Sequence, residues 1–190
     1  AILTAMLPHI RERKREEWIR EFRILDSREH EKVIRPETEP DQGELKMGEV
    51  VKVISELAGR DAVVVTDVGQ HQMAVARYYS FTDSNTLVTS GGMGTMGFGL
   101  PASLGAATGA TDRQVIAFIG DGGFQMTVQE LGTIMQYRIP AKIVLLNNSF
   151  LGMVRQWQEM FFNSRYASTE MVNPDFVALA SAYGIPARKI

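Results

Sequence analysis

Four short runs of mainly aliphatic and β-branched residues punctuate the chain: Ala62-Val63-Val64-Val65-Thr66, Thr86 to Thr89, Val115 to Ile119, and Ile143 to Leu146. They are continuous runs without strict apolar–polar alternation, so these strands must be covered on both faces. Around them lie stretches with helical spacing: Val50 to Leu57, Gln72 to Tyr79, Pro101 to Thr108, Val128 to Tyr137 and Phe176 to Tyr183. Strand–helix alternation of this kind predicts an α/β fold, a doubly wound and mostly parallel sheet. The chain stops at Ile190, about where another strand should begin, so the fold is expected to be truncated at its C-terminus. No internal repeat is visible.

The 190 residues suit one domain with a core plus an added segment. Charge marks the division. Residues 1–44 carry 20 of the 42 charged side chains. Within them Leu3, Leu7, Ile10, Trp18, Phe22 and Leu25 recur at roughly helical spacing around the run Arg11 to Glu17, which reads as a solvated helix face. From Asp26 to Glu44 the chain is polar, contains Pro36 and Pro40, and holds no period, so it reads as an interdomain linker. Residues 45–190 form the second unit. The start, Ala1-Ile2-Leu3, lacks an initiator Met and suggests a piece of a longer chain.

Several classes fall away at once. With no Cys there is no disulfide framework, thiolate zinc site or cysteine nucleophile. A net charge of −2 advertises no nucleic-acid partner. Ser84 to Thr111 is uncharged, but its seven Gly, one Pro and eight Ser or Thr make it too polar and flexible for a lipid-facing helix. A soluble, cytoplasmic protein is expected, with no membrane contact.

In open α/β sheets, ligands sit beyond the carboxyl ends of the strands. There, Val115–Ile119 runs into Gly120-Asp121-Gly122-Gly123, and Ile143–Leu146 runs into Asn147-Asn148. One carboxylate plus one amide oxygen is an incomplete shell for a hard cation. Mg²⁺ held this way fills its octahedron with phosphate oxygens and water, so the pattern asks for a phosphorylated cofactor. A competing pattern exists. Gly92-Met93-Gly94-Thr95-Met96-Gly97 matches the dinucleotide fingerprint and lies between a strand and a helical stretch, which would suit a nicotinamide dehydrogenase. That alternative leaves Gly122, Gly123 and the Asn147-Asn148 pair without a role.

Gly120-Asp121-Gly122 followed by Asn147-Asn148 resembles the two-part signature through which thiamine-diphosphate enzymes bind Mg²⁺ and the cofactor's diphosphate. Three further segments, Gly69 to Met73, Gly91 to Pro101 and Leu151 to Trp157, resemble the catalytic subunit of acetolactate (acetohydroxyacid) synthase. The resemblance covers roughly residues 45–190 and implies the thiamine-diphosphate-binding fold, in the pyrophosphate-type C-terminal domain, with residues 1–44 as tail and linker of a preceding domain.

The resemblance implies roles for individual residues. Asp121 and Asn148 would ligate Mg²⁺ through side-chain oxygens and Phe150 through its carbonyl. Gly122, Gly123, Gln70 and His71 would hold the diphosphate. Met96 would wedge beneath the cofactor and keep its two rings bent, and Gly94 in the same loop would also bind the cofactor. Leu151, Gly152, Met153 and Val154 would line the cleft, and Trp157 would face a substrate channel. Each has a plainer alternative: His71 as a satisfied core residue, Met96 and Met153 as gap-fillers, Trp157 as a packing anchor. Ala74 stands where most synthases have an aromatic residue, and Gly123 where Ser is common.

Also implied are pyruvate and 2-ketobutyrate as substrates, a homodimeric or tetrameric parent, a regulatory small subunit in some members, and FAD bound by a middle domain outside this segment. The family's activating Glu belongs to its N-terminal domain, and no residue here matches it: Glu56 and Glu130 sit in unrelated helical patterns. The expected activity is decarboxylation of pyruvate and its condensation with a second 2-keto acid. Another thiamine-diphosphate enzyme, such as a pyruvate oxidase, 2-keto-acid decarboxylase or glyoxylate carboligase, is the alternative.

Overall fold

The computed structural model describes residues 2–11 and 13–190. Its N-terminal part is helical: α1 (Ile2–Met6), a 3₁₀ turn (Leu7–His9), α2 (Glu16–Glu29), a π turn (His30–Ile34) and α3 (Arg35–Thr38). Two expectations are corrected here. The apolar series from Leu3 to Leu25 does not share one helix, because Ile10, Arg11 and Arg13 to Arg15 are irregular (Glu12 and Ala1 lie outside the described residues). The segment from Asp26 to Glu44, read as having no helical period, is helical as far as Thr38. Proline was the misleading signal. Pro36 follows the π turn, in which the Arg35 N–H bonds to His30 O, and that widened turn accommodates a residue with no N–H to give.

From Met47 onward, strands and helices alternate as α4 (Met47–Leu57), β1 (Val63–Thr66), α5 (Gln70–Tyr78), β2 (Leu87–Thr89), α6 (Gly99–Gly109), β3 (Val115–Gly120), α7 (Asp121–Met126), α8 (Glu130–Tyr137), β4 (Ala141–Leu146), α9 (Gly152–Phe161) and α10 (Phe176–Ala182). The four strands of the sheet pair in parallel, in the order β2-β1-β3-β4. Two helices were not anticipated: α7, hidden by its glycines, and α9.

The continuous apolar runs resolve into two cores by the period of two along a strand. Val63, Val65, Val115, Ala117 and Ile119 face Leu100, Leu104, Leu131 and Ile134. Val64, Ile116 and Phe118 face the opposite layer with Val51, Ala74, Val75 and Tyr79. The sheet is therefore doubly wound, as the uninterrupted hydrophobicity predicted. Ala74, small where an aromatic was anticipated, is buried within the second layer.

The strand order sets the site. From β1 the chain steps outward to β2, then returns to build β3 and β4 on the other side. The reversal leaves a crevice above the carboxyl ends of β1 and β3, where open α/β sheets bind ligands.

Candidate functional site

One cleft opens at that crevice. It is lined by Gln70 and His71 from the start of α5, Met96, Gly120 to Gly123, Asn148, and Phe150 to Val154, with Met47 and Val68 at its margin. Twelve of the residues singled out from sequence therefore converge: Gln70, His71, Met96, Asp121, Gly122, Gly123, Asn148, Phe150, Leu151, Gly152, Met153 and Val154. Two do not line it. Gly94 sits further back in its loop at φ 63, and Trp157 lies on α9, 56% exposed and stacked on Phe161.

Asp121 is the first residue of α7 and is 2% exposed. Its Oδ1 accepts the Gly122 N–H at 2.9 Å, while Oδ2 accepts the Ser149 N–H at 2.7 Å and the Asn173 amide at 2.7 Å. The Asn148 side-chain oxygen accepts the next N–H along, that of Phe150, at 3.0 Å. The carboxylate and the amide oxygen are thus bound to consecutive peptide groups of one turn. Asn147, the other half of the pair, turns away to accept from Asn173 at 2.8 Å. A Cβ on Gly122 would stand 2.7 Å from Leu151 Cδ2 and 3.5 Å from the Met96 methyl, so any larger residue there would displace the Leu151 side chain on the cleft floor.

His71 is buried, and its Nε2 has no hydrogen-bond partner. Burial pushes the imidazole pKa below its ordinary value, against the upward pull of the Asp67 and Asp121 charges and of the Asp67 backbone. Gln70 is tied to Gln156 of α9 at 2.9 Å, bridging the two sides of the cleft.

These features suit a magnesium diphosphate. Asp121 forms no ion pair among the described residues, so a buried carboxylate lines the cleft without a countercharge. All candidate metal donors are hard oxygens. No group of three or more His, Asp or Glu that could hold a metal alone exists among the described residues, so phosphate oxygens or water must complete the shell. The unpartnered His71 Nε2 asks for a hydrogen-bonding partner in the same cleft.

Sequence reasoning passed over two residues. Asp67 directly follows β1 and is wholly buried; an acid just after an apolar strand and two positions before a glycine was the available signal. Asn173, which holds Asp121 and Asn147 together, had none. The Gly92–Gly97 loop also reads differently in three dimensions. Its Gly97 N–H, and that of Gly99 at the start of α6, both bond to the Asp67 carboxylate. A helix N-terminus already occupied by a protein anion is not a free pyrophosphate cradle, which removes the dinucleotide reading.

The C-terminal TPP-binding domain of thiamine pyrophosphate enzymes matches residues 67–190. The chain belongs to this family. Its sequence is 53% identical to the acetolactate synthase large subunit of Lactococcus lactis over 148 residues, 77% of this chain and 26% of that protein. It is 51% identical to the isozyme 2 large subunit of Escherichia coli, covering 74% and 26% of the two chains. It is 44% identical to the mitochondrial catalytic subunit of Saccharomyces cerevisiae, covering 77% and 22%. The chain spans about a quarter of the length of these curated relatives. Among solved structures it resembles the thiamine diphosphate-dependent 4-hydroxybenzoylformate decarboxylase of Rhodococcus jostii RHA1, with TM-score 0.68 and 29% identity over 74% of this chain and 26% of that one. Among the described residues no helix is long and apolar enough to cross a membrane.

Proposed function

We propose that this domain binds thiamine diphosphate through Mg²⁺ and forms the cofactor half of an acetolactate synthase. The parent would decarboxylate pyruvate and condense the resulting two-carbon unit with pyruvate or 2-ketobutyrate, the entry to branched-chain amino acids. The observation that carries this reading is the convergence of Asp121, Asn148, Phe150 and the unpartnered His71 in one cleft at the strand-order reversal. Bound there, thiamine diphosphate supplies the electron sink for decarboxylation and carbon–carbon bond formation. The chain's residues do the holding. Asp121, Asn148 and the Phe150 carbonyl take the metal. His71, Gln70 and the Gly122–Gly123 backbone take the diphosphate. Met96, Leu151, Met153 and Val154 give the cofactor rings apolar walls that exclude water. Trp157 borders the substrate path.

The reading extends to the parent as a cytoplasmic transferase, a homodimer or tetramer, with FAD and any regulatory subunit held outside residues 45–190. The 190 residues alone would be inactive, since no acidic residue here matches the activating Glu. Titrating the full-length chain with thiamine diphosphate, with Mg²⁺ or with EDTA, tests the site; acetolactate formation from pyruvate tests the reaction. Metal-dependent binding with acetolactate as product is expected. Metal-independent binding, or none, refutes the site. The Rhodococcus decarboxylase supports a second reading, a 2-keto-acid decarboxylase, which would release aldehyde instead.

A further inference from the structure

The Asp67 carboxylate is wholly buried and engages no cation among the described residues. All its hydrogen bonds are to backbone. Oδ1 accepts the Val68 N–H at 2.6 Å and the Gly97 N–H at 3.1 Å; Oδ2 accepts the Gly99 N–H at 2.9 Å. An anion in a dry interior is expensive unless its acceptors are filled, and here they are filled by the turn that follows Met96. Gly97 is gripped from its other side too, because the Thr127 hydroxyl donates to Gly97 O at 3.1 Å. The turn fits nothing larger: Gly97 has φ 82, and a Cβ there would stand 3.1 Å from Met126 Cβ and 3.3 Å from Thr127 Cγ2.

Met96 is the residue just before this clamp, and its methyl reaches toward Gly122 on the cleft floor. A methionine has three rotatable bonds and no polar anchor of its own, so its aim is set by the backbone that carries it. We propose that Asp67 is a positioning residue which, with Thr127, clamps the Gly97–Gly99 turn and so directs Met96 into the cleft. The inference rests on the reading of that cleft as the thiamine diphosphate site. Asp67 also touches the diphosphate side, where a Cβ on Gly123 would stand 2.6 Å from its Oδ1, but its hydrogen bonds run only to Val68 and to the turn that follows Met96. The electrostatics agree in direction, since the N-terminus of α6 meets a negative charge.

Asp67→Asn tests it in the full-length chain. The substitution keeps shape, but whichever way the amide turns, its NH₂ confronts a backbone N–H. Binding of Mg²⁺ with thiamine diphosphate is expected to weaken about tenfold or more, the scale of one lost charge-assisted hydrogen bond. Binding of Mg²⁺ with inorganic pyrophosphate, which needs no Met96, is expected to stay within about twofold. A purely structural role would weaken both alike, and no role would weaken neither; either result overturns the proposal. Methyl-¹³C methionine spectra of the ligand-free protein give an independent readout, with the Met96 signal assigned through Met96→Leu. Asp67→Asn should move that signal toward the averaged position of an exposed methionine, and an unmoved signal counts against the clamp. This measurement decides even if the wild-type protein binds neither ligand, an outcome that would sink the cofactor reading instead. Should Asp67→Asn fail to fold, Thr127→Val loosens the same turn from the other side. A smaller shift in the same direction is then expected, and none would refute the clamp.

Discussion

The His71 ring lies so close over Gly120 that a Cβ on Gly120 would stand 2.9 Å from its Cε1 and 3.0 Å from Nδ1. The pair joins the start of α5, which follows β1, to the end of β3, beside the point at which the strand order reverses. Gly120 has φ −79 and ψ 156, a conformation open to any residue, so Gly120→Ala introduces a collision without backbone strain. The ring has to swing away from its buried seat. A stability loss of about 1–3 kcal/mol is expected from overpacking, with weaker diphosphate binding. Thermal unfolding and pyrophosphate titration in Mg²⁺ check the two effects.

The same imidazole predicts a pH dependence. Burial holds its pKa below the ordinary 6.5. The folded state therefore binds fewer protons at this position than the unfolded chain once the pH drops to about 6.5. The contribution to stability is whole above that pH and is lost as the pH falls toward the lower folded value. His71→Asn removes the titration. Urea midpoints measured at about pH 7.5 and about pH 5.5 should fall more steeply in the wild type than in the variant. Parallel declines would show that His71 does not titrate as buried.

Asp121→Asn separates metal binding from folding. In the ligand-free protein, replacing a buried, uncompensated charge relieves one cost while setting an amide NH₂ against the donors of Ser149, Asn173 or Gly122. These oppose, so a net stability change within about 1 kcal/mol is expected. Mg²⁺-dependent binding of thiamine diphosphate, by contrast, should disappear from calorimetry. Retained metal-dependent binding would remove Asp121 from the shell.

What could be read in the sequence followed from locality. Asp121 stood out because its neighbours on both sides are glycines and an apolar strand precedes it. The doubly wound sheet was visible because each strand is apolar on consecutive positions. Asp67 offered nearly the same cue, yet only the fold shows that its partners are Gly97 and Gly99, some 30 residues on. The helix α9 was obscured because Leu151 to Trp157 was read as a motif segment, although Met153, Trp157, Met160 and Phe161 recur at helical spacing. Pro36 read as a break, and only the π turn before it explains why the helix continues.

Asn173 was illegible for a related reason: it reaches Asp121 across 52 residues from an irregular segment. Its amide donates to Asp121 Oδ2 and to Asn147 Oδ1, so it fixes the carboxylate against the end of β4. Asn173→Ala should cost about 1–3 kcal/mol, the scale for a hydrogen bond to a charged group. It should also weaken Mg²⁺ affinity while leaving the metal donors themselves in place. Asn173→Gln, which carries the same amide on a longer arm, should not restore it. Unfolding curves with and without Mg²⁺ and thiamine diphosphate measure both.

Arg155 supplies the last prediction. Its guanidinium lies 4.2 Å from the ring centroids of both Phe150 and Tyr166, a position a planar cation can hold and a point charge cannot. Phe150, which lines the cleft, is thereby held by a residue that does not line it, and the bridge from Phe150 to Glu170 secures the same turn. Each cation–π contact at a half-exposed site contributes about 0.5–1 kcal/mol. Arg155→Lys keeps the charge but loses the stacking, so about 1 kcal/mol of stability should go, with a modest drop in Mg²⁺ affinity. Arg155→Met keeps the stem and removes the charge. If stacking is what matters, the two variants should behave alike; if net charge near the metal governs affinity, Arg155→Met should bind Mg²⁺ more tightly than Arg155→Lys.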